Sequence, residues 1–243
     1  METATYIETL DREGRLLAAA AEAAGSAAEV PHCPGWRVPD LVKHTGAVHR
    51  WAASFVAEGH TAPRPIGEAP DLDGTALTDW FREGHGRLVD TLTAAAPDTD
   101  CWHFLPAPTP LAFWARRQAH ETTVHRFDAE SAAGATPSVP DPEFAADGID
   151  ELLCGMHARP KSRVRAEKPR VLRVRATDVA GAVWTVRLSP EPPVTARGDT
   201  GDAECEIAGP AGPLYFALWN RQPLPEVTGD ASLAELWRET SGV

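Results

Sequence analysis

The feature that most constrains the fold is a change of apolar period partway along the chain. Before about residue 133, four segments repeat their apolar side chains every three to four residues, as amphipathic helices do. These segments are 5–24, 39–58, 75–95 and 111–133. Glycine or proline stands near most of their ends, as Gly25, Pro39 and Gly59 do. Four helices of about 20 residues with inward apolar stripes predict a four-helix bundle.

The second half of the chain has a different pattern. After a stretch rich in Gly, Pro and Ser at 135–142, the segments 171–176 and 183–188 alternate apolar residues with arginine or threonine. This alternation is typical of half-buried antiparallel strands. Helical patterns cover 144–157, 214–220 and 232–239, and a further short strand fits 204–208. We therefore predict a bundle over residues 1–138 and a smaller α+β domain with a mainly antiparallel sheet over 139–243.

Charge and composition argue against several classes of partner. A formal net charge of −12 at pH 7 disfavours nucleic acid, whose phosphates require clustered Lys and Arg. No run approaches the roughly 20 apolar residues that cross a bilayer. The N-terminal residues lack the pattern of a secretion signal, so we expect a cytoplasmic location. The four cysteines form no Cys-x-x-Cys pair, so zinc-finger and thioredoxin-like sites lack their required spacing.

The residues best suited to carry chemistry lie on the second and fourth predicted helices. Glu121 and His125 are about 40° apart around one helix, so both side chains can reach one point in the bundle. His120 is about 140° from His125, which argues against the protease pattern with two histidines on one face. His44 is the preferred third ligand because Asp40, one turn before it, can accept its other ring N–H. Two imidazoles and a carboxylate leave coordination positions open, as in catalytic zinc sites, although iron and nickel also fit.

A simpler interpretation of these residues stays open. Glutamate and histidine four residues apart also occur by chance, and a helical histidine is often only a polar surface or core residue. Asp128 shares a face with His125 and can support its ring, whereas His49 should face away from the site. Cys33 precedes a turn and can be a structural thiol or a nucleophile. Five further histidines are predicted to be surface or loop residues without a role: His32, His60, His85, His103 and His157.

Two strings of the sequence resemble a known family. They are Cys-Pro-Gly-Trp-Arg-Val-Pro-Asp-Leu-Val-Lys-His at 33–44 and His-Glu-Thr-Thr-Val-His-Arg-Phe-Asp-Ala-Glu at 120–130. Both are similar to the mycothiol-dependent maleylpyruvate isomerase family of actinobacteria, which belongs to the DinB-like bundle superfamily. The resemblance covers nearly the whole chain, and it implies that His44, Glu121 and His125 are the metal ligands.

The resemblance continues in the second half of the chain. The string Leu-Tyr-Phe-Ala-Leu-Trp-Asn-Arg at 214–221 is similar to a helix of the family's sterol-carrier-like C-terminal domain. An arginine of that domain is implicated in catalysis in the family, and Arg221 stands at the matching Trp-x-Arg position. The resemblance therefore implies that Arg221 acts in catalysis and binds an anionic group of the thiol or substrate. The alternative is a structural arginine that pairs with Glu226 or Asp230.

These features favour a metal- and mycothiol-dependent enzyme. The favoured ion is a divalent metal, and zinc is the leading candidate. A metal with an open coordination position can bind the sulfur of a low-molecular-weight thiol and lower the pKa of that thiol. The thiolate then adds to an electrophilic small molecule, for isomerisation or for lasting S-transfer. Asp128 and Arg221 are the expected catalytic residues, and the expected protein is a monomer or homodimer. The alternative function is a metal-binding module without turnover that binds a small ligand or a partner.

Overall fold

The computed structural model describes residues 1–242, and this part of the chain divides after Ser138 into two compact units. The first unit is built from four long helices: α1 (Thr3–Ala24), α2 (Val38–Glu58), α3 (Gly74–Ala94) and α4 (Pro110–Ala132). They confirm the predicted bundle, in which α1 packs mainly against α4 and α2 against α3. Among the described residues, no helix is long and apolar enough to cross a membrane.

Helix α4 differs from the other three because it is buried on almost all sides. Its buried residues include many polar side chains: Arg117, Gln118, His120, Thr122, Thr123, His125, Arg126 and Asp128. Polar groups inside a protein cost free energy unless they are hydrogen-bonded or paired with opposite charges. The composition of α4 therefore indicates an interior that holds ion pairs and a candidate site as well as apolar packing.

The second unit combines helices with one five-stranded sheet. Its strands are β1 (Arg170–Ala176), β2 (Val183–Leu188), β3 (Val194–Arg197), β4 (Cys205–Gly209) and β5 (Glu226–Gly229), and its helices are α5 (Pro142–Asp150), α6 (Ala211–Leu218) and α7 (Ala231–Thr240). The strand order is β3-β2-β1-β4-β5. Neighbouring strands are antiparallel except β1 and β4, which are parallel. The predicted α+β unit with a mainly antiparallel sheet is confirmed.

Several details of the second unit differ from the prediction. The single helix expected at 144–157 is α5 followed directly by a π-helix at Glu151–Met156. Strands β3 and β5 were not predicted, because each has only four residues, lies at an edge of the sheet and has no fully buried residue. A short edge strand lacks the inward apolar alternation by which strands are recognised.

Two of the five histidines that were predicted to be surface or loop residues are buried. His85 of α3 is 5% exposed, and His157 after the π-helix is 2% exposed. The ring of His85 fills the space over Gly14 of α1, where a Cβ atom would overlap it. Small residues that admit a large side chain from a neighbouring helix are not apparent from the pattern of one helix alone.

Candidate metal centre

Three side chains with metal-binding atoms converge within the first unit. His44 from α2 and Glu121 and His125 from α4 each offer one ligand atom, and these atoms lie within 4.8 Å of one another. Oε1 of Glu121 is 3.3 Å from Nε2 of each histidine. Two ligands about 2.1 Å from a tetrahedral ion are about 3.4 Å apart, so this spacing fits such an ion. The side chain of His44 is 36% exposed and that of His125 is 9% exposed, so the group opens to solvent at His44.

Both ligands on α4 have a charged partner behind them. Nη2 of Arg117 donates to Oε2 of Glu121 at 3.2 Å, which leaves Oε1 directed at the two histidines. Oδ2 of Asp128 is 3.0 Å from Nδ1 of His125. A carboxylate at this ring nitrogen fixes the orientation of the imidazole, so that Nε2 faces the ligand group. Arg117 and Asp128 are both buried, so both interactions are screened less than a pair on the surface would be.

The same contacts set the ionisation of the ligands. Burial by itself would raise the pKa of Glu121, but hydrogen bonds from His125 and His44, with the charges of His125 and Arg117, hold that pKa well below its usual value. Burial would lower the pKa of His125, but Asp128 and Glu121 raise it to about 9 through hydrogen bonds and negative charge. Without an ion, these pKa shifts favour a negative carboxylate on Glu121 beside a positive imidazole on His125. A divalent cation at Nε2 would displace the proton there.

The prediction that Asp40 accepts the second ring N–H of His44 is wrong. Oδ2 of Asp40 accepts the backbone N–H of Arg37 at 2.8 Å, and no hydrogen bond joins Asp40 to His44 within residues 1–242. A carboxylate in the first turn of a helix lies close to unsatisfied backbone N–H groups, so Asp40 accepts a hydrogen bond from the backbone and not from the imidazole of His44. The ring of His44 instead lies beside Trp36, with 5.1 Å between the ring centroids.

The neighbouring histidines lie outside the ligand group. Nε2 of His49 is 2.9 Å from Oγ1 of Thr122, and the ring is fully buried beside His85. Burial, followed by the charge of His85, lowers the pKa of His49 well below its usual value, so the ring is neutral at pH 7. His120 is buried next to Tyr6 of α1, on a different face of α4. These positions agree with the angles expected around α2 and α4.

Arg221 is the third residue after the end of α6 in the second unit, at a helix end with a defined backbone. Asn220 has a φ of 59°, and its N–H donates to the carbonyl of Ala217 at 3.0 Å. The N–H of Arg221 reaches back to the carbonyl of Phe216 at 2.9 Å. This pair of bonds is a Schellman motif, with asparagine in the left-handed position that glycine usually takes. The backbone of Arg221 is therefore restrained.

The side chain of Arg221 lies close to its own helix end. Its Nη1 donates to the carbonyl of Trp219 at 2.9 Å. Asp230, one of the two carboxylates considered as a structural partner, is 2.5 Å from Nη2 of Arg170 and also caps α7. The functional assignment of Arg221 stays a prediction.

Two residues of the site were not found by sequence reasoning. Arg117 stands four residues before Glu121, a spacing that places oppositely charged side chains side by side on a helix. That signal was present in the sequence. Trp36 precedes α2 and reaches His44 only through the shape of a turn, so no helical spacing indicates the contact.

Comparisons with known proteins agree over both units. A model described as the mycothiol maleylpyruvate isomerase N-terminal domain matches residues 7–130, and one described as the MDMPI C-terminal domain matches residues 143–236. The crystal structure of a mycothiol-dependent maleylpyruvate isomerase is 15% identical, covers 91% of this chain and 90% of that chain, and has a TM-score of 0.57. A histidine-to-alanine mutant of such an isomerase gives 14% identity, the same coverage and a TM-score of 0.60. At this identity, the structural likeness shows the shared fold. No curated protein matches the chain.

Proposed function

Because the chain belongs to the mycothiol maleylpyruvate isomerase family, a family of enzymes, we propose that it is a metal- and mycothiol-dependent enzyme. One divalent ion, most favourably zinc, is bound by His44, Glu121 and His125. At this ion a low-molecular-weight thiol is activated for addition to an electrophilic small molecule. Isomerisation and S-transfer both follow from such an addition. The observation that carries the proposal is the convergence of the three ligand atoms within 4.8 Å.

The protein residues have distinct parts in this proposal. His44, Glu121 and His125 would hold the zinc ion, which when bound would offer a position for the thiol sulfur and lower its pKa. Glu121 stays deprotonated at neutral pH because its pKa is held low. Asp128 keeps Nε2 of His125 turned toward the ligand group, and Arg117 keeps one oxygen of Glu121 out of it. The exposed side of His44 leaves room for the thiol to enter.

We also propose that Arg221 binds an anionic group of the thiol or of the substrate, such as a substrate carboxylate. A guanidinium group presents two parallel N–H donors that match the two oxygens of a carboxylate. The proposal is supported by the Trp-x-Arg match and by the restrained backbone at the end of α6. Since mycothiol is an actinobacterial thiol, we place the reaction in the cytoplasm of an actinobacterium.

A conversion assay tests the proposed function. Protein loaded with Zn²⁺ is incubated with mycothiol and a panel of electrophiles that includes maleylpyruvate, and substrate, isomer and adduct are followed by NMR. We expect conversion that requires both metal and thiol. It should be lost in His44→Ala and kept in His103→Ala, a half-buried loop histidine that serves as the matched control.

Two results would contradict the proposal. Conversion that survives His44→Ala would show that the chemistry takes place elsewhere. Protein that binds metal but converts none of the electrophiles, with or without thiol, would instead favour a binding module without turnover.

A further inference from the structure

The Cys-Pro-Gly-Trp turn, residues 33–36, is a tight turn whose two ends face the candidate metal centre. The N–H of Trp36 donates to the carbonyl of Cys33 at 2.9 Å, and Gly35 has a φ of 83°. Proline in the second position and a left-handed glycine in the third define a type II turn. A Cβ atom on Gly35 would meet nothing within 4 Å, so glycine is required there for its backbone conformation alone.

The tryptophan end of the turn contacts both histidine ligands. The ring centroid of Trp36 is 5.1 Å from that of His44 and 6.4 Å from that of His125, at interplanar angles of 56° and 23°. In the described part of the chain, the ring of His44 makes one hydrogen bond, from Nε2 to Glu121. The ring of His44 also lies 5.1 Å from that of His125, and Trp36 is the aromatic contact from outside the ligand group that restricts its rotation.

The cysteine end of the turn reaches the other histidine through a carboxylate. Sγ of Cys33 is 3.7 Å from Oδ2 of Asp128, a distance at which a thiol can donate a weak hydrogen bond. The same oxygen of Asp128 accepts from Nδ1 of His125 at 3.0 Å. The turn therefore touches one histidine ligand directly and the support of the second.

We infer that the Cys-Pro-Gly-Trp turn is a positioning element for the metal ligands, in which Trp36 orients His44 and Cys33 steadies Asp128 behind His125. The inference rests on the proposed metal site and deepens it, because it assigns metal affinity and ligand geometry in part to a loop outside both ligand-bearing helices. Groups that hold a ligand from behind typically change metal affinity by about 10–100-fold when they are removed.

A purely structural role for Trp36 makes a different prediction. Trp36 also packs against the apolar core formed by α1, α2 and α3, which includes Leu17, Leu41 and Phe81. Were packing its whole role, its loss would lower the thermal midpoint and leave the metal affinity of the folded protein unchanged. The test must therefore measure both quantities.

Titration with Co²⁺ alone separates these roles. Trp36→Leu should weaken Co²⁺ binding by roughly tenfold or more and alter the visible absorption bands of the bound ion, whereas Trp36→Phe, which keeps an aromatic ring, should restore most of the affinity. Gly35→Ala should weaken binding because alanine disfavours the left-handed backbone. Its matched control is Gly134→Ala, where φ is 70° and a Cβ atom would also meet nothing within 4 Å. A Trp36→Leu protein with a lowered thermal midpoint but the affinity and spectrum of the wild type would overturn the inference.

NMR of the metal-free protein tests the same inference without a metal. The indole ring current of Trp36 should shift the imidazole C–H signals of His44, and the shift should disappear in Trp36→Leu. If the wild type bound no Co²⁺, the proposed metal site would fail, whereas His44 signals that are identical in the two proteins would overturn the positioning role. Should Trp36→Leu fail to fold, Gly35→Ala and its control Gly134→Ala provide the comparison of metal affinity.

Discussion

At the scale of single residues, the two histidines of the candidate metal centre are held in different ways. His125 is buried and hydrogen-bonded to the carboxylate of Asp128. His44 is partly exposed and lies against an aromatic ring instead. The site therefore has one ligand supported by a buried carboxylate and one supported by ring contacts near its solvent-exposed side.

Asp128→Asn should weaken metal binding by roughly 10–100-fold, because the amide keeps the size of the side chain but removes the charge behind His125. The zinc affinities of the variant and the wild type are measured by competition titration with a zinc chelator. Asp90→Asn, an exposed position on α3, is the matched control and should keep the wild-type affinity. Equal affinities for Asp128→Asn and the wild type would show that Asp128 does not support a metal ligand.

Helical spacing explains how much of the site the sequence could predict. The angles around α4 predicted that Glu121 and His125 share a face, and the structure brings them together with His44. The same reasoning was wrong for Asp40, because the first turn of a helix offers a carboxylate closer donors than a ring one turn away. The contact of Trp36 with His44 depends on the geometry of a turn, and the spacing of residues in the sequence does not predict where a turn places a side chain.

At the scale of elements, α4 is tied to α1 by a buried ion pair. Nε of Arg126 is 2.8 Å from Oε2 of Glu13, and Nη1 is 2.6 Å from Oε2 of Glu130. The side chains of Arg126 and Glu13 are 1% and 4% exposed. Loss of Arg126 leaves the buried carboxylate of Glu13 with the exposed Arg12, 3.1 Å away, as its counter-ion, and breaking a buried pair in this way costs far more than loss of a surface pair.

Arg126→Met should lower the free energy of unfolding by about 3–5 kcal/mol, measured by urea denaturation. Arg82→Met is the matched control, since Arg82 pairs with Glu22 at 2.7 Å on the surface. Its loss should cost about 1 kcal/mol or less. Equal costs for the two variants would contradict the importance of the buried pair.

His157, beside the π-helix, should make stability fall in mild acid. Nδ1 of His157 is 3.1 Å from Oγ of Ser162, the ring lies 4.8 Å from Trp237, and burial lowers its pKa from 6.5 to about 4. As the pH falls, His157 is protonated in the unfolded chain before it is protonated in the folded chain. The stabilisation by its neutral ring is therefore fully present above pH 6.5 and is lost as the pH falls toward 4. The loss should approach roughly 3 kcal/mol.

Urea denaturation at several pH values measures this effect. Burial also lowers the pKa values of His49 and His85, so the quantity to compare is the difference between the wild type and His157→Gln. The variant should lose less stability between pH 6.5 and 4. His103→Gln controls for removal of a histidine and should follow the wild type. A His157→Gln protein with the same pH dependence as the wild type would contradict the prediction.

The elements that sequence predicted and those it missed differ in a physical way. Long helices with inward stripes and glycine or proline at their ends were predicted within a few residues, as for α2 and α4. The π-helix Glu151–Met156 was not, because its apolar residues also fit an ordinary helix. Strand β5 was missed because it pairs with β4 through backbone groups, and in a short edge strand this pairing imposes little pattern on the residue types.

At the scale of the whole molecule, the chain carries its candidate metal ligands in the first unit and Arg221 in the second. The family models match both units. If Arg221 binds an anionic group of the thiol or substrate, its loss lowers turnover, whereas Arg221 contributes no ligand to the candidate metal centre. A substitution at Arg221 should therefore separate turnover from metal content.

Arg221→Lys should lower kcat/KM by roughly 10–100-fold, because lysine keeps the charge but loses the planar pair of donors. Metal content and the thermal midpoint should stay close to those of the wild type. Arg238→Lys, an exposed position on α7, is the matched control. If Arg221→Lys instead lowers the thermal midpoint and leaves kcat/KM of the surviving protein unchanged, Arg221 is a structural residue.

Metal content per chain tests the proposed metal centre most directly. Purified wild-type protein and the variants His44→Ala, Glu121→Ala and His125→Ala are incubated with Zn²⁺, freed of unbound ion and measured by elemental analysis. We predict about one zinc ion per chain in the wild type and little or none in each variant, because every ligand lost from a three-residue site removes most of its affinity. Wild-type protein that retains no zinc, or variants that all retain as much as the wild type, would contradict the assignment of His44, Glu121 and His125 as metal ligands.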